Sequence, residues 1–183
     1  MPALKIGWLN GWLVIVLLSL TDVILFLIFP KKVVERLFDR SGWSQQQRAF
    51  TIVGKLFALI CLVLITLTPL KIGGLVFIIG SLLIVLGSIC LVKGLFDFKN
   101  TPLDEPVTRG LYRISRHPQV VMSTVVLLGA CIAIGSWLAL VLLIVSKLLE
   151  HLGIMAEEEI CLKQYGDAYR AYLERVPRYF MFF

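Results

Sequence analysis

Apolar residues in this chain come in long unbroken runs, not in the alternation of a half-buried strand or the narrow stripe of a soluble helix. Four runs stand out: Trp8 to Phe29, Phe50 to Leu70, Ile72 to Phe96 and Val120 to Met155. A helix needs about 20 apolar residues to cross a bilayer core, so each run is long enough. The last is too long for one crossing. It has a turn signal, Gly135-Ser136, near its middle, which predicts a hairpin of two helices over 119–134 and 137–156. The pattern therefore predicts an all-α polytopic membrane protein with five transmembrane helices, the last two paired as a hairpin.

The segments between the runs differ in character. In FPKKVVERLFDRSGWSQQQR, Val33, Val34, Leu37 and Phe38 share one helical face with charges opposite, the pattern of a short interfacial helix. The Pro69 to Gly74 connection is so short that it predicts antiparallel neighbours on either side, and Gly73, Gly74, Gly80 and Gly87 offer small surfaces for close packing. From Lys93 to Pro118 runs a stretch of mixed charge with three prolines and no helix or strand pattern. A long irregular loop at a membrane surface is usually functional. After the hairpin, Ile160, Leu162, Tyr165, Tyr169, Tyr172 and Leu173 predict an amphipathic helix on the cytoplasmic side. The whole chain, 1–183, reads as one membrane domain, with 1–92 mainly scaffold and 93–183 carrying the chemistry.

Composition supports the membrane assignment: 58% of the 183 residues are hydrophobic and 16% charged. Charge adds orientation. Lysine and arginine cluster after the first span (Lys31, Lys32, Arg36, Arg40, Arg48), after the third (Lys93, Lys99, Arg109, Arg113, Arg116) and in the tail (Lys163, Arg170, Arg175, Arg178), whereas the opposite side has Lys5 and Lys71. With five crossings all three clusters fall on one face, which the positive-inside rule makes cytoplasmic, with the N-terminus outside. The net charge of +6 then belongs to one face and is no nucleic-acid signature. Cys61, Cys90, Cys131 and Cys161 show no CxxC spacing, so neither disulfides nor a metal site is expected. The first span is too long for a signal peptide and lacks a basic leading region. Asp22, Lys55 and Lys147 lie within apolar spans at similar depth, where pairing among them is expected unless the lysines extend to the interface.

Candidate chemistry gathers at two places. In RGLYRISRHPQ, Arg109 to Gln119, Pro118 suits a first helical turn and His117 before it can cap free amides. Those amides, with Arg113 and Arg116, form an anion site. Toward the end of the last span, Glu150, His151, Ile154, Glu157 and Glu158 recur at intervals of three and four. Glu157, Glu158 and Glu159 at a helix C-terminus oppose the macrodipole, which calls for compensation by Arg113, Arg116 or a cationic ligand. Cations and amides at one end and carboxylates at the other suit a zwitterionic ligand, of which S-adenosylmethionine is one candidate among several.

GLYRISRHPQ, a helical hairpin, and then AEEEICLKQYGDAYRAYLERVP resemble the isoprenylcysteine carboxyl methyltransferase and phospholipid methyltransferase group of integral membrane enzymes. The elements are G-x-Y-x-x-x-R-H-P at Gly110 to Pro118, Glu158-Glu159, Y-G-x-x-Y-x-x-Y at Tyr165 to Tyr172, and R-V-P at Arg175 to Pro177. The resemblance covers roughly Asp97 to Arg178. It implies a cytoplasmic S-adenosylmethionine pocket lined by Asp104, Glu105, Pro106 and Val107, by Tyr112 and Arg116, and by His117, Pro118, Gln119 and Val120. Glu158, completed by Glu159, matches the cofactor-binding glutamate. The implied reaction is direct transfer of the sulfonium methyl to a lipophilic small molecule or lipid headgroup entering from the bilayer. Two positions depart from the group: Val120 replaces a usual aromatic residue, and Ile154 stands where prenylcysteine enzymes have a substrate-binding arginine. Besides Glu158, His151 is then the catalytic candidate, as a base or polar contact for an amine, thiol or hydroxyl acceptor. The competing readings are a haem-dependent membrane isomerase or redox accessory protein, with His117 and His151 as ligands, and a non-catalytic membrane scaffold.

Overall fold

The computed structural model describes residues 7–180, so Lys5 lies outside them. Among the described residues the chain is all-helical: α1 (Trp12–Ile28), α2 (Lys31–Phe38), α3 (Gln45–Leu67), α4 (Leu75–Lys99), a 3-10 turn (Gly110–Arg113), α5 (Pro118–Ile134), α6 (Trp137–Tyr165) and α7 (Asp167–Arg175). Three of these, α3, α4 and α6, are long and apolar enough to cross a membrane. Their outward faces carry exposed Leu56, Leu82, Ile89 and Leu148. An apolar surface of that extent belongs in lipid, and the chain is an integral membrane protein. The apolar helices α1 and α5 have 17 residues each.

Local chemistry explains the boundaries. A reciprocal capping box starts α3: Ser44 Oγ accepts from Gln47 N at 3.2 Å, while Gln47 Oε1 accepts from Ser44 N at 2.8 Å. Pro118 takes the first helical position of α5. The expected hairpin turn forms at Gly135, whose φ of 62° ends α5 in the left-handed region, and Ser136 Oγ caps α6 by accepting from Ala139 N at 3.3 Å.

Packing follows two helix pairs, α4 on α5 and α3 on α6, with α1 against α3. The expectation that the short Pro69 to Gly74 link makes its two flanking helices close partners fails, because α3 and α4 share little contact. Small residues decide instead. A Cβ on Gly80 of α4 would stand 2.5 Å from the Gly129 carbonyl oxygen and 2.7 Å from Ala133 N on α5, so these backbones meet only because no side chain separates them. Cys61, Ile65, Val126, Ala130, Cys131, Ala139 and Leu143 fill the core between the pairs.

The short amphipathic helix expected in this segment forms as α2. Its Val33, Val34 and Leu37 pack on Leu25, Phe29, Leu91 and Leu95. Two other expectations need correction. The stretch from Lys93 is not irregular throughout, since α4 continues to Lys99 and the loop begins only there. The terminal amphipathic helix is split: α6 runs on through the glutamates to Tyr165, and Gly166 (φ 55°) turns the chain into α7. The glutamates therefore lie well inside a helix, and macrodipole repulsion no longer bears on them.

Candidate active site

Where α5 begins and α6 continues past Glu150, the loop before α5, the far end of α6, and α7 enclose a cavity of about 230 Å³. Seven sequence-predicted residues line it: Pro106, Val107, Tyr112, Arg116, His117, Gln119 and Val120. Aromatic groups from three elements complete the wall, Phe98 of α4, Tyr165 of α6, and Tyr169 and Tyr172 of α7, beside Tyr112. Asp104, Glu105, Pro118, Glu158, Glu159 and His151 are not among the lining residues. Asp104, Glu105 and Glu159 are exposed.

Glu158 instead forms the buried hub beneath the cavity. Its carboxylate accepts from Arg178 Nε at 3.1 Å and Nη2 at 2.7 Å, and from His117 Nε2 at 3.2 Å, with Arg116 Nε also 3.2 Å away. The Arg116 and Glu158 side chains are 6% and 8% exposed, so this is a buried ion pair reinforced by a bidentate arginine. Bonding of His117 to the carboxylate places its proton on Nε2. His117 consequently does not cap α5 with its side chain; the imidazole is turned toward the glutamates, and Ser115 Oγ accepts from His117 N at 3.2 Å.

Compensation of the glutamates thus comes from Arg116, as expected, but Arg113 is exposed and plays no part. Arg178 is the cation that sequence reasoning missed. The bond to Glu158 holds the Arg178 guanidinium in its charged form above its ordinary range. Two arginines against one carboxylate leave the hub with excess positive charge.

Glu157, not Glu159, faces the cavity. It stands 3.7 Å from His117 Nδ1, with 43% of its side chain exposed. Across the opening, Asp39 is held below the usual carboxylate range by the Ser41 N–H it accepts, at 2.9 Å. Two buried donors at the wall lack a protein acceptor. Arg116 Nε lies close to Glu158 but off the direction of a hydrogen bond, and Gln119 Nε2 has no partner. Buried donors without acceptors are costly in a finished fold and mark places where a ligand atom belongs.

The loop lining the cavity is held from α2. Arg36 donates to Pro102 O at 2.9 Å, Glu105 O at 2.7 Å and Tyr165 OH at 3.0 Å, and its guanidinium lies 5.2 Å from the Phe98 ring centre. A residue of α2 thereby fixes a loop 66 positions away. Only distance in sequence hid it. Beneath the cavity, Tyr172 OH donates to Tyr112 O at 2.7 Å, locking α7 to the 3-10 turn. Burial pushes the Tyr112, Tyr169 and Tyr172 phenols well above their ordinary range, so all three stay neutral in the wall and Tyr172 keeps the proton it donates. Tyr172→Phe is expected to strand the buried Tyr112 carbonyl and cost about 1–3 kcal/mol, measured as a lower melting temperature of the purified protein.

The 3-10 turn itself depends on Gly110. At φ 58° it occupies the left-handed region, and a Cβ there would strike the Asp97 carboxylate, which instead accepts from Leu111 N at 2.9 Å.

Deeper in α6, polar groups pair with one another. Lys147 Nζ bonds Glu150 at 2.7 Å, in place of the expected pairing with Asp22. His151 Nδ1 lies 2.8 Å from Tyr179 OH. Both histidines are thus engaged by protein partners, His117 by Glu158 and His151 by Tyr179.

Residues 69–168, more than half of the chain, match the family model described as phospholipid methyltransferase. The chain belongs to the phospholipid methyltransferase family. Curated proteins and solved structures give no match. The matched residues of this family member take in α4, α5, the cavity loop and all of α6 with its run of three consecutive glutamates. Arg36 and Arg178, which hold the loop and the hub, lie outside the match.

Proposed function

We propose that the chain is an S-adenosylmethionine-dependent methyltransferase acting on a lipophilic small molecule or lipid headgroup, with residues 1–92 mainly scaffold and 93–183 forming the cofactor region. The carrying observation is the pairing of opposite demands in one aromatic cavity. Gln119 presents a donor without an acceptor, Arg116 a guanidinium, and Glu157 a carboxylate. That set fits S-adenosylmethionine, whose amino-acid end carries a carboxylate and an ammonium and whose adenine suits the tyrosine-rich wall.

In this reading, Arg116 and the start of α5 receive the ligand carboxylate, with His117 Nδ1 beside Glu157. Glu157 takes the ammonium and Gln119 a further polar atom. Glu158 acts indirectly, by fixing Arg116 and His117. When bound, the cofactor supplies an electrophilic methyl group on sulfur. The protein contributes position. His151 is placed deeper along α6 as a polar contact for the acceptor. The arrangement fits five crossings, α1 and α3 to α6, with the cation-rich loops, the cavity and α7 on the cytoplasmic side and the N-terminus outside.

Calorimetry of the purified protein with S-adenosylhomocysteine is the direct test. One saturable site is expected, and no detectable heat in several detergents and lipids would remove the reading. In the same assay Glu157→Gln, losing a charge-assisted hydrogen bond, is expected to weaken binding by roughly 10- to 100-fold. Its melting temperature without ligand should match the parent protein.

A further inference from the structure

The connection between α2 and α3 has two sides. Asp39 faces the methyl-transfer cavity, beside Leu37 at the end of α2, whereas Arg40 and Trp43 line a second cavity of about 220 Å³ together with Arg48, Thr51, Ile52 and Lys55. Three of these six residues are cationic and none is acidic. Among the described residues no carboxylate forms an ion pair with Arg40, Arg48 or Lys55. Glu150, the acidic group on α6 whose field reaches Lys55, is already paired with Lys147 at 2.7 Å.

Each group has a distinct part. Arg48 donates to Trp43 O at 3.2 Å and Arg40 O at 3.0 Å, so it shapes the loop while its charge stays unbalanced. The Arg40 guanidinium lies 5.2 Å from the Trp43 ring centre. Trp43 is 7% exposed, and its indole N–H is buried without an acceptor. Along α3 next to the cavity, Ile52, Leu56 and Leu59 are all more than half exposed, an apolar strip leading away from the cations.

We propose that this second cavity binds the phosphate group of an anionic phospholipid. Arg40, Lys55 and the Trp43 N–H meet the phosphate oxygens, and an acyl chain lies along the apolar strip of α3. A free anion would have no use for that strip. The site is separate from the methyl-transfer cavity, and the inference does not rest on the cofactor reading. Occupancy would brace the connection that carries Asp39 to the other cavity.

The general attraction of a basic face for anionic lipid makes a different prediction from a built site, because it counts charges wherever they lie. Lys31 and Lys32, exposed on α2, supply the comparison. The full chain is purified in detergent with equimolar phosphatidylcholine and phosphatidylglycerol, and retained lipid is counted by native mass spectrometry. The parent protein should keep one phosphatidylglycerol in preference to phosphatidylcholine. Lys55→Gln should lower that occupancy about fivefold and Arg40→Gln with Lys55→Gln about tenfold or more, since one near-surface charge counts for roughly a factor of five. Lys31→Gln with Lys32→Gln should leave it unchanged. Equal loss in the two double variants, or no loss from Lys55→Gln in protein whose circular dichroism matches the parent, overturns the site. Displacement of phosphatidylglycerol by low-millimolar inorganic phosphate would assign the cavity to free phosphate and overturn the lipid.

Discussion

Glu158→Ala is expected to lower stability by about 3–5 kcal/mol, the range for breaking a buried ion pair by removing one partner. The cost arises because Arg116 stays buried with no carboxylate beside it, and Arg178 and His117 lose their shared acceptor at the same moment. Thermal unfolding of the purified protein measures it. Glu158→Gln should fall between the two, since the amide oxygen still accepts one hydrogen bond but brings no charge. S-adenosylhomocysteine binding should vanish in the alanine variant at temperatures where it remains folded, because nothing then orients Arg116 and His117. A variant that melts like the parent would show that the hub is not the fold's main polar contact.

Gly80→Val should be nearly as severe for a different reason. Its first obstacles are backbone atoms of α5, the Gly129 carbonyl oxygen and Ala133 N. A flexible side chain can move aside, but a helix backbone cannot yield without shifting the whole of α5. About 3 kcal/mol is expected, the upper end for overpacking. Because α5 begins at Pro118, the same shift should displace Gln119 and Val120 at the cavity. Chemical denaturation gives the stability change, and calorimetry gives the accompanying loss of ligand affinity. Leu82→Ala on the exposed face of the same helix is the control and should change neither.

Much of this architecture is legible in the sequence because it rests on local signals. The apolar runs predict α1 and α3 to α6, Gly135-Ser136 predicts the hairpin turn, and the charge pattern around Val33 to Phe38 predicts α2. Pro118 at the start of α5 marks where the motif meets the helix. What could not be read depends on which backbones touch. Loop length alone pointed to α3 beside α4, but the Gly80–Gly129 crossing sends α4 to α5.

The site divides the same way. Arg116, His117 and Gln119 form a local motif, and all three reach the cavity. In the run of three glutamates, the helical phase relative to the wall decides which one faces inward. Glu157 does so, Glu158 joins the hub and Glu159 is exposed. Arg36 and Arg178 carry no motif at all. Each acts across the fold, on carbonyls of the 102–105 loop or on a carboxylate of α6, and only the folded geometry identifies them.

One consequence concerns the order in which the molecule is made. Ser115 donates to the carbonyl of Arg178 at 2.8 Å, Arg116 N donates to Pro177 O at 3.0 Å, and the first of these contacts joins residues 63 positions apart. During synthesis, the residues of α5 and α6 are joined before Arg178 exists. Until then the start of α5 has no clamp, and Glu158 faces Arg116 and His117 without its second arginine. The pocket therefore acquires its final shape as a late event, after the helices around it are in place. A chain ending just short of Pro177 would keep all of these helices but lack both clamps on the start of α5, leaving the site open.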